Sequence, residues 1–588
     1  MLSLGQGKRA RVACWLVFLF LNRQRGVLTC DICPEKVGEQ VYHTLFSRSP
    51  QFRLLACICL SLCLVFLSSC GSSSANPGAS STAKPLPKQT LVFPNVGIQD
   101  LNTLDPAQAS DGNSVLAITM IYSGLVRLDA QLNAVPDQAT WSISADRTAY
   151  TFYLKPGILF SDGTPLTAET YVYTLTRALS PVLQASDAML LLGNIVGAAA
   201  VNTGKSTTLS GVRAINNSTL VITLSKPTEY FLSALANPMT FAVNQKFIEQ
   251  YGQTDWSDLV ASNGVGTGPF MVKVWQHNTK IVLVPNPRYY GPHTRLTEVD
   301  MIFAVDAHTA FQAFQGGQYS FVWNIIPSDL NTAHGITGFV NQPQLETDAL
   351  FFNTHTSPFD QPAVRQAFAY ATDKSVLAQT LLGNSAIPAS TIIPDGIPGY
   401  QPALTALSFN RALASTTLQS VYSDVSQIPT ITFSYPNSLL SPVLAASLQQ
   451  MWQTALGISV KLLPVEANAY SIEVANHQVQ LGFEQWNADF PDPYDILALS
   501  LFSSAPGNNG QWQNTQFDQL VQQAETTTGA ARLALYGQAE QLAINDVGLL
   551  PLDHQSLAAV IPATVHGVSL THMGLYFGDW SDVYLLAR

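Results

Sequence analysis

Segments with the period of a helix repeatedly hand over to segments that alternate, and that succession restricts the chain to an α/β architecture. From Ser441-Pro442 onward, Leu444, Leu448, Met451 and Trp452 recur at helical spacing. Gly457 then stops the helix, and Ile458-Ser-Val-Lys-Leu462 alternates as a strand does. Earlier, Tyr150-Thr-Phe-Tyr-Leu154 reads as a strand and Asp162-Gly163 as a tight turn. Thr167 is placed to cap a helix carrying Val172, Leu175 and Leu179 on one face, with Glu169 near its positive end. Asp360 is expected to cap a further helix whose Val364, Ala367, Phe368 and Ala371 share a face.

With 588 residues, 47% of them hydrophobic, the chain can build more than one core, so two or three domains are expected. A formal net charge of -11 argues against a nucleic-acid partner, which requires a basic surface to meet phosphates. All seven cysteines lie at or before Cys70, so nothing beyond that point can form an internal disulfide. Cys30 and Cys33 form a single Cys-x-x-Cys with no second pair, which speaks against a zinc or redox site.

The run Leu54 to Leu67 is apolar and follows Arg48 and Arg53, the layout of a secretory signal. The succeeding Leu67-Ser-Ser-Cys70-Gly71 resembles the lipobox of bacterial lipoproteins, which implies cleavage before Cys70 and a diacylglycerol on its sulfur. An uncleaved anchor or an ordinary signal peptide are the alternatives. Residues 1–69 are thus read as a signal region; its second apolar run, Cys14 to Leu21, fits either a misassigned start or a long n-region. Residues 70–89, rich in Ser, Ala, Pro and Lys, read as a disordered tether, with order beginning at Thr90 to Phe93.

The stretch Gln485 to Asp495, Gln-Trp-Asn-Ala-Asp-Phe-Pro-Asp-Pro-Tyr-Asp, follows an alternating segment in which Val479, Leu481 and Phe483 share one side. Pro491 and Pro493 end any ladder there. Because ligands of α/β proteins gather beyond the carboxyl ends of strands, Trp486 and Asp489 are candidates to meet one, the carboxylate suiting a cation. On these residues alone, Asp489, Asp492 and Asp495 serve equally well as turn and cap residues.

A resemblance then becomes specific. The run Leu154 to Tyr173, with its Phe160-Ser-Asp-Gly-Thr-Pro-Leu-Thr167 centre, is similar to the signature of the family 5 extracytoplasmic solute-binding proteins, which include the oligopeptide- and dipeptide-binding components of ABC importers. Leu104-Asp-Pro106, Gly266-Thr-Gly-Pro-Phe270, Ser357 to Asp373 and Leu456-Gly-Ile-Ser-Val460 agree with it in order. The resemblance implies a periplasmic-binding-protein-like fold of type II in its three-domain variant: domain I from 90–128, 225–344 and 558–588, an inserted domain II at 129–224, and domain III at 345–557. Two crossings near Gln342 and Leu557 would join the lobes that enclose the ligand. Oligopeptide binders carry a Trp-x-Ala-Asp-Tyr motif whose Asp meets the peptide α-ammonium. Here it reads Trp486-Asn-Ala-Asp489-Phe490, which assigns that role to Asp489. Trp486, Phe490, Tyr494, Trp275 and Trp323 are further candidates to line the cleft, with core packing the equal alternative for Trp486 and the default for Tyr494, Trp275, Trp323 and Tyr122. The three-residues-earlier position that is basic in some members is Phe483, so the ligand's carboxylate has no assigned partner. Arg365 is expected to be structural.

The resemblance also implies short peptides as ligand, an ABC permease with its ATPase subunits as partners, the membrane through a lipid anchor, and a monomeric receptor without cofactor. No His-Glu-x-x-His, Gly-x-Ser-x-Gly or phosphate-binding loop is present, and the histidines beyond Cys70 lack metal-ligand spacing. The one enzymatic alternative is a hydrolase using Asp489 and Asp492 as acid and base. A sugar or a nickel chelate on the same fold is the alternative among ligands.

Overall fold

The computed structural model describes residues 85–587 apart from 255, 261–264, 384, 405 and 438–441. The signal region, Cys70 and most of the tether therefore lie outside the described residues, as does Ser441. From its first strand, β1 (Thr90–Val96), the chain passes through helix α1 (Gly112–Ile121) and a small hairpin, β2 (Val126–Leu128) and β3 (Ala134–Pro136). Next come β4 (Ala139–Ile143), β5 (Ala149–Leu154), helices α2 (Ala168–Ala178) and α3 (Ala188–Leu192), then β6 (Val212–Asn216) and β7 (Thr219–Thr223). These four strands form an antiparallel sheet of order β4-β5-β7-β6. Strands β8 (Phe270–Gln276), β9 (Lys280–Pro285) and β10 (Glu298–Ala304) join β1 in a second sheet, β1-β10-β9-β8, in which β1 and β10 run parallel.

The largest sheet is assembled from β11 (Val322–Trp323), β12 (Phe339–Phe352), β13 (Ala386–Pro388), β14 (Ile431–Pro436), β15 (Val460–Val465), β16 (Leu481–Asn487) and β17 (Leu550–Val560). Helices α4 (Pro362–Ala371), α5 (Pro442–Leu456), α6 (Thr515–Glu525) and α7 (Gly529–Asp546) belong to the same stretch of chain. Strands β12 and β17 are long and run antiparallel, with Gln342 opposite Leu557 and a register shift between Pro343 and Thr347. The chain closes with pairs β18 (Val565–His566) with β21 (Tyr584–Leu585), and β19 (Ser569–Thr571) with β20 (Gly574–Tyr576).

Local chemistry explains the predicted elements. Thr167 and Thr170 form a capping box at the start of α2, which carries Glu169 in its first turn and Arg177 in its last. Helix α5 buries Ala445, Leu448 and Trp452, and Gly457 ends it at φ +74, a conformation only glycine adopts cheaply. One expectation differs. Helix α4 is capped by Gln361 rather than Asp360, because Pro362 takes the first helical position, where its missing N–H costs nothing. Strand β16 is covered on both faces at its start: Leu481 and Phe483 are buried on one side, and on the other Gly482 leaves room for Phe351, whose ring a Cβ would meet at 2.1 Å.

The blocks that carried the resemblance serve the fold. Asp105 is fully buried and takes a two-pronged grip from Arg177 at 3.0 and 2.5 Å, tying the Leu104-Asp-Pro106 turn to α2. Gly266 and Gly268 lie against the end of α1, where a Cβ on Gly266 would come within 1.9 Å of the Ile121 carbonyl oxygen. Arg365 donates to the carbonyls of Phe359, Asp546 and Val547, a structural role as expected.

Candidate functional site

Strand β16 runs between β12 and β14 in the middle of the large sheet, so the loop after it emerges from a rigid base. Asp495, fully buried, organises that loop: it accepts the Trp486 indole N–H at 2.8 Å and the Asp489 backbone N–H at 3.1 Å. Burial pushes the Asp495 carboxyl well above its ordinary range and the neighbouring Asp489 adds to this, while the two N–H donors oppose it. Asp492 faces Arg532 in a bidentate pair at 2.9 and 2.6 Å and also receives the Tyr494 backbone N–H at 2.9 Å. The turn-and-cap reading thus describes Asp492 and Asp495. With Asp492 committed to a guanidinium, it makes a poor acid or base for Asp489.

Asp489 is different. Its carboxylate is half-buried, and among the described residues it has neither a hydrogen bond nor a basic partner. Burial pushes its carboxyl up to about 6, with Asp187, at the start of α3, contributing repulsion. A partly desolvated carboxylate without a partner is poised to gain from an incoming cation.

Phe490 and Tyr494 both stack on Tyr230, with centroids 4.7 and 4.6 Å apart, and Lys226 reaches Glu525 at 2.8 Å beside them. This corrects one expectation: Phe490 is fully buried in the core shared with β5 and β7, so it anchors the loop and offers no face to a ligand. Trp486 at the end of β16 and Asp489, Phe490 and Tyr494 just after it are gathered together. Trp275 and Trp323 are not with them: the first donates to Asp100 at 2.8 Å and the second to the Pro94 carbonyl at 2.7 Å, both within the core of the β1-β10-β9-β8 sheet.

Sequence reasoning missed an acidic face on the large sheet. Glu346 lies opposite Asn487, and Asp348 lies between Gln485 and Asp553. Gln485 and Gln555 donate to Asp348 at 3.0 and 2.7 Å, and Gln555 also to Asp553 at 2.9 Å. Burial pushes Asp348 up to about 6 and Glu346 to about 7, the latter helped by Asp348. The alternation Glu346-x-Asp348 and Asp553-x-Gln555 within strands that are apolar at one end was the available signal. A cavity of about 350 Å³ lies elsewhere in the molecule, and none of the six predicted ligand residues lines it. Among the described residues no group of His, Cys, Asp and Glu is arranged to hold a metal, and no helix is long and apolar enough to cross a membrane.

Comparison with known proteins gives these features a family. The profile of the bacterial extracellular solute-binding proteins, family 5 (middle region), matches residues 133–508. The chain is 30% identical over 497 residues to the probable deoxycholate-binding periplasmic protein YgiS of Escherichia coli K12, covering 82% of this chain and 91% of that one. It is 27% identical over 542 residues to the oligopeptide-binding protein OppA of Bacillus subtilis 168, covering 88% and 98%. Among solved structures, the Escherichia coli murein tripeptide binding protein MppA superposes with a TM-score of 0.73 at 26% identity, covering 86% of this chain and all of that one. The α/β fold is therefore that of the multi-domain, type II periplasmic binding proteins, and the chain belongs to the bacterial extracellular solute-binding proteins of family 5.

Proposed function

We propose that this protein is an extracytoplasmic receptor for short peptides, which it encloses between two lobes and delivers to an ABC permease driven by its ATPase subunits. The observation that carries the reading is Asp489: a half-buried carboxylate without a partner, on a loop braced by Asp495, at the position where oligopeptide binders meet the α-ammonium. A charged amine entering a closed cleft loses several kcal/mol of solvation unless a carboxylate receives it. Trp486, held by its bond to Asp495, serves in this reading as a wall beside that carboxylate. Glu346 and Asp348, on the neighbouring strand β12, lie opposite Asn487 and Gln485 of β16, and an arriving cation would favour their ionised forms. In this reading the lobes are domains I and III with the boundaries expected from the sequence, hinged where β12 and β17 pair. The receptor is held to the outer face of the membrane by a lipid on Cys70.

Isothermal calorimetry with a mixed library of di- to pentapeptides tests this reading: saturable binding by free-amine peptides is expected, and binding by none would overturn it. A different solute on the same fold is the second reading, favoured by the relative named for deoxycholate. Native mass spectrometry of whatever copurifies with the protein separates the two.

A further inference from the structure

The cavity of about 350 Å³ is walled by α1, the β2–β3 hairpin, residues 289–292 and the β19–β20 hairpin with the turn that follows it. That volume falls in the range of small-ligand pockets, and its walls are largely apolar: Tyr122, Phe241, Tyr289, Phe577 and Trp580 supply ring faces and edges. Carboxylates in the wall are already engaged within the protein. Asp129 accepts the backbone N–H groups of Gln131 and Asn133, Asp137 accepts the Tyr290 hydroxyl, and Asp579 accepts from the Ser581 backbone and hydroxyl.

Arg127 on β2 lines the same cavity, half-buried, and among the described residues its guanidinium makes no hydrogen bond and no direct ion pair, the charges of Asp129 and Asp137 reaching it only at longer range. This sets it apart. Arg147, Arg177, Arg365 and Arg532, the other described arginines held wholly or partly out of solvent, meet Glu229, Asp105, Asp546 and Asp492 respectively. A guanidinium presents a planar fork of N–H donors that matches a carboxylate, and withdrawing one from water without an acceptor is unfavourable. Lys155 lies 5.4 Å from the centroid of the Tyr290 ring at the same wall and adds a second positive charge.

We propose that this cavity is a second ligand site, separate from Asp489, that takes a small carboxylate with an apolar body, and that Arg127 holds the carboxylate. The inference stands apart from the peptide reading, since it needs neither an amine on the ligand nor Asp489.

N-acetylphenylalanine is the probe, because its blocked amine removes any pairing with Asp489; N-acetylphenylalaninamide, which lacks the carboxylate, is the control. Calorimetry on the wild type is expected to show the acid bound at least tenfold more tightly than the amide. Arg127→Gln is expected to erase that preference, and Thr119→Phe, which fills the cavity from α1, to abolish binding of both. Equal binding of acid and amide, binding of neither, or a preference that survives Arg127→Gln would overturn the proposal. Should Arg127→Gln fail to fold, Thr119→Phe decides: loss of acid binding supports the site and its retention refutes it. Failure of the peptide reading has another signature, a free-amine peptide bound equally by the wild type and Asp489→Asn, and leaves these outcomes unaffected.

Discussion

Replacing Asp489 with Asn removes one charge and almost no volume, and the structure indicates what else changes. The Asp489 side chain caps no helix and bonds nothing among the described residues, so no fold contact is lost. Burial holds its carboxyl at about 6, so at neutral pH the ionised group costs the fold on the order of 1–3 kcal/mol. Asp489→Asn should therefore leave the melting temperature unchanged or raise it. Binding should respond in the opposite way. Breaking a buried charge pair across an interface costs about 2–5 kcal/mol, and because Asp489 is only half-buried the lower part of that range applies, about 2–3 kcal/mol. A free-amine tripeptide should bind the variant roughly 30- to 150-fold more weakly. Its N-acetylated counterpart should bind the wild type poorly and lose little on mutation. Titration calorimetry of both peptides with both proteins provides the four affinities. A variant that bound the free-amine peptide as tightly as the wild type would refute the role assigned to Asp489.

Other outcomes follow from the same structure. Because the pairing needs ionised Asp489 and a protonated amine, affinity for a free-amine peptide should be greatest near pH 7, fall about tenfold per pH unit below 6 and fall again above about pH 8 as the amine loses its proton, whereas a pH-independent affinity would contradict the pairing. Glu346 and Asp348 have carboxyls raised above their unfolded values, so the folded state binds extra protons, and the stability this supplies is present below about pH 4 and lost as pH rises through about 6 to 7. The melting temperature should accordingly drop between pH 5 and 8, and the drop should shrink in a Glu346→Gln, Asp348→Asn double variant, as calorimetric scans across pH would report. Arg177→Leu leaves Asp105 buried without its partner and should cost about 3–5 kcal/mol in urea unfolding, while a loss below 1 kcal/mol would show the pair to be dispensable.

What was legible in the sequence was whatever depends on neighbours along the chain. Helix α5 and its glycine stop, the cap at Thr167 and a strand leading into Trp486 all rest on local spacing and all form, the strand running on to include Trp486. Asp360 was misread as a cap because the proline two positions on moves the helix start by one residue. Long-range pairings left no local trace. Nothing near Phe490 indicates that its ring will stack on Tyr230, so an aromatic next to Asp489 reads as a cleft wall when it is an anchor. Arg532 gives no sign in sequence that it will neutralise Asp492, and the partnerless state of Asp489 emerges only once every neighbour has been placed. The acidic face was half legible, since its residues alternate within strands, but the apposition of Asp348 and Asp553 depends on the pairing of β12 with β17 across two hundred residues of chain.

The most direct test of the peptide-receptor reading is a crystal structure of the protein with a bound free-amine tripeptide. The account predicts the peptide's terminal nitrogen within about 2.7–3.2 Å of an Asp489 carboxylate oxygen, with Trp486 alongside. A peptide whose amine lies away from Asp489, with that carboxylate still unpaired, would contradict it.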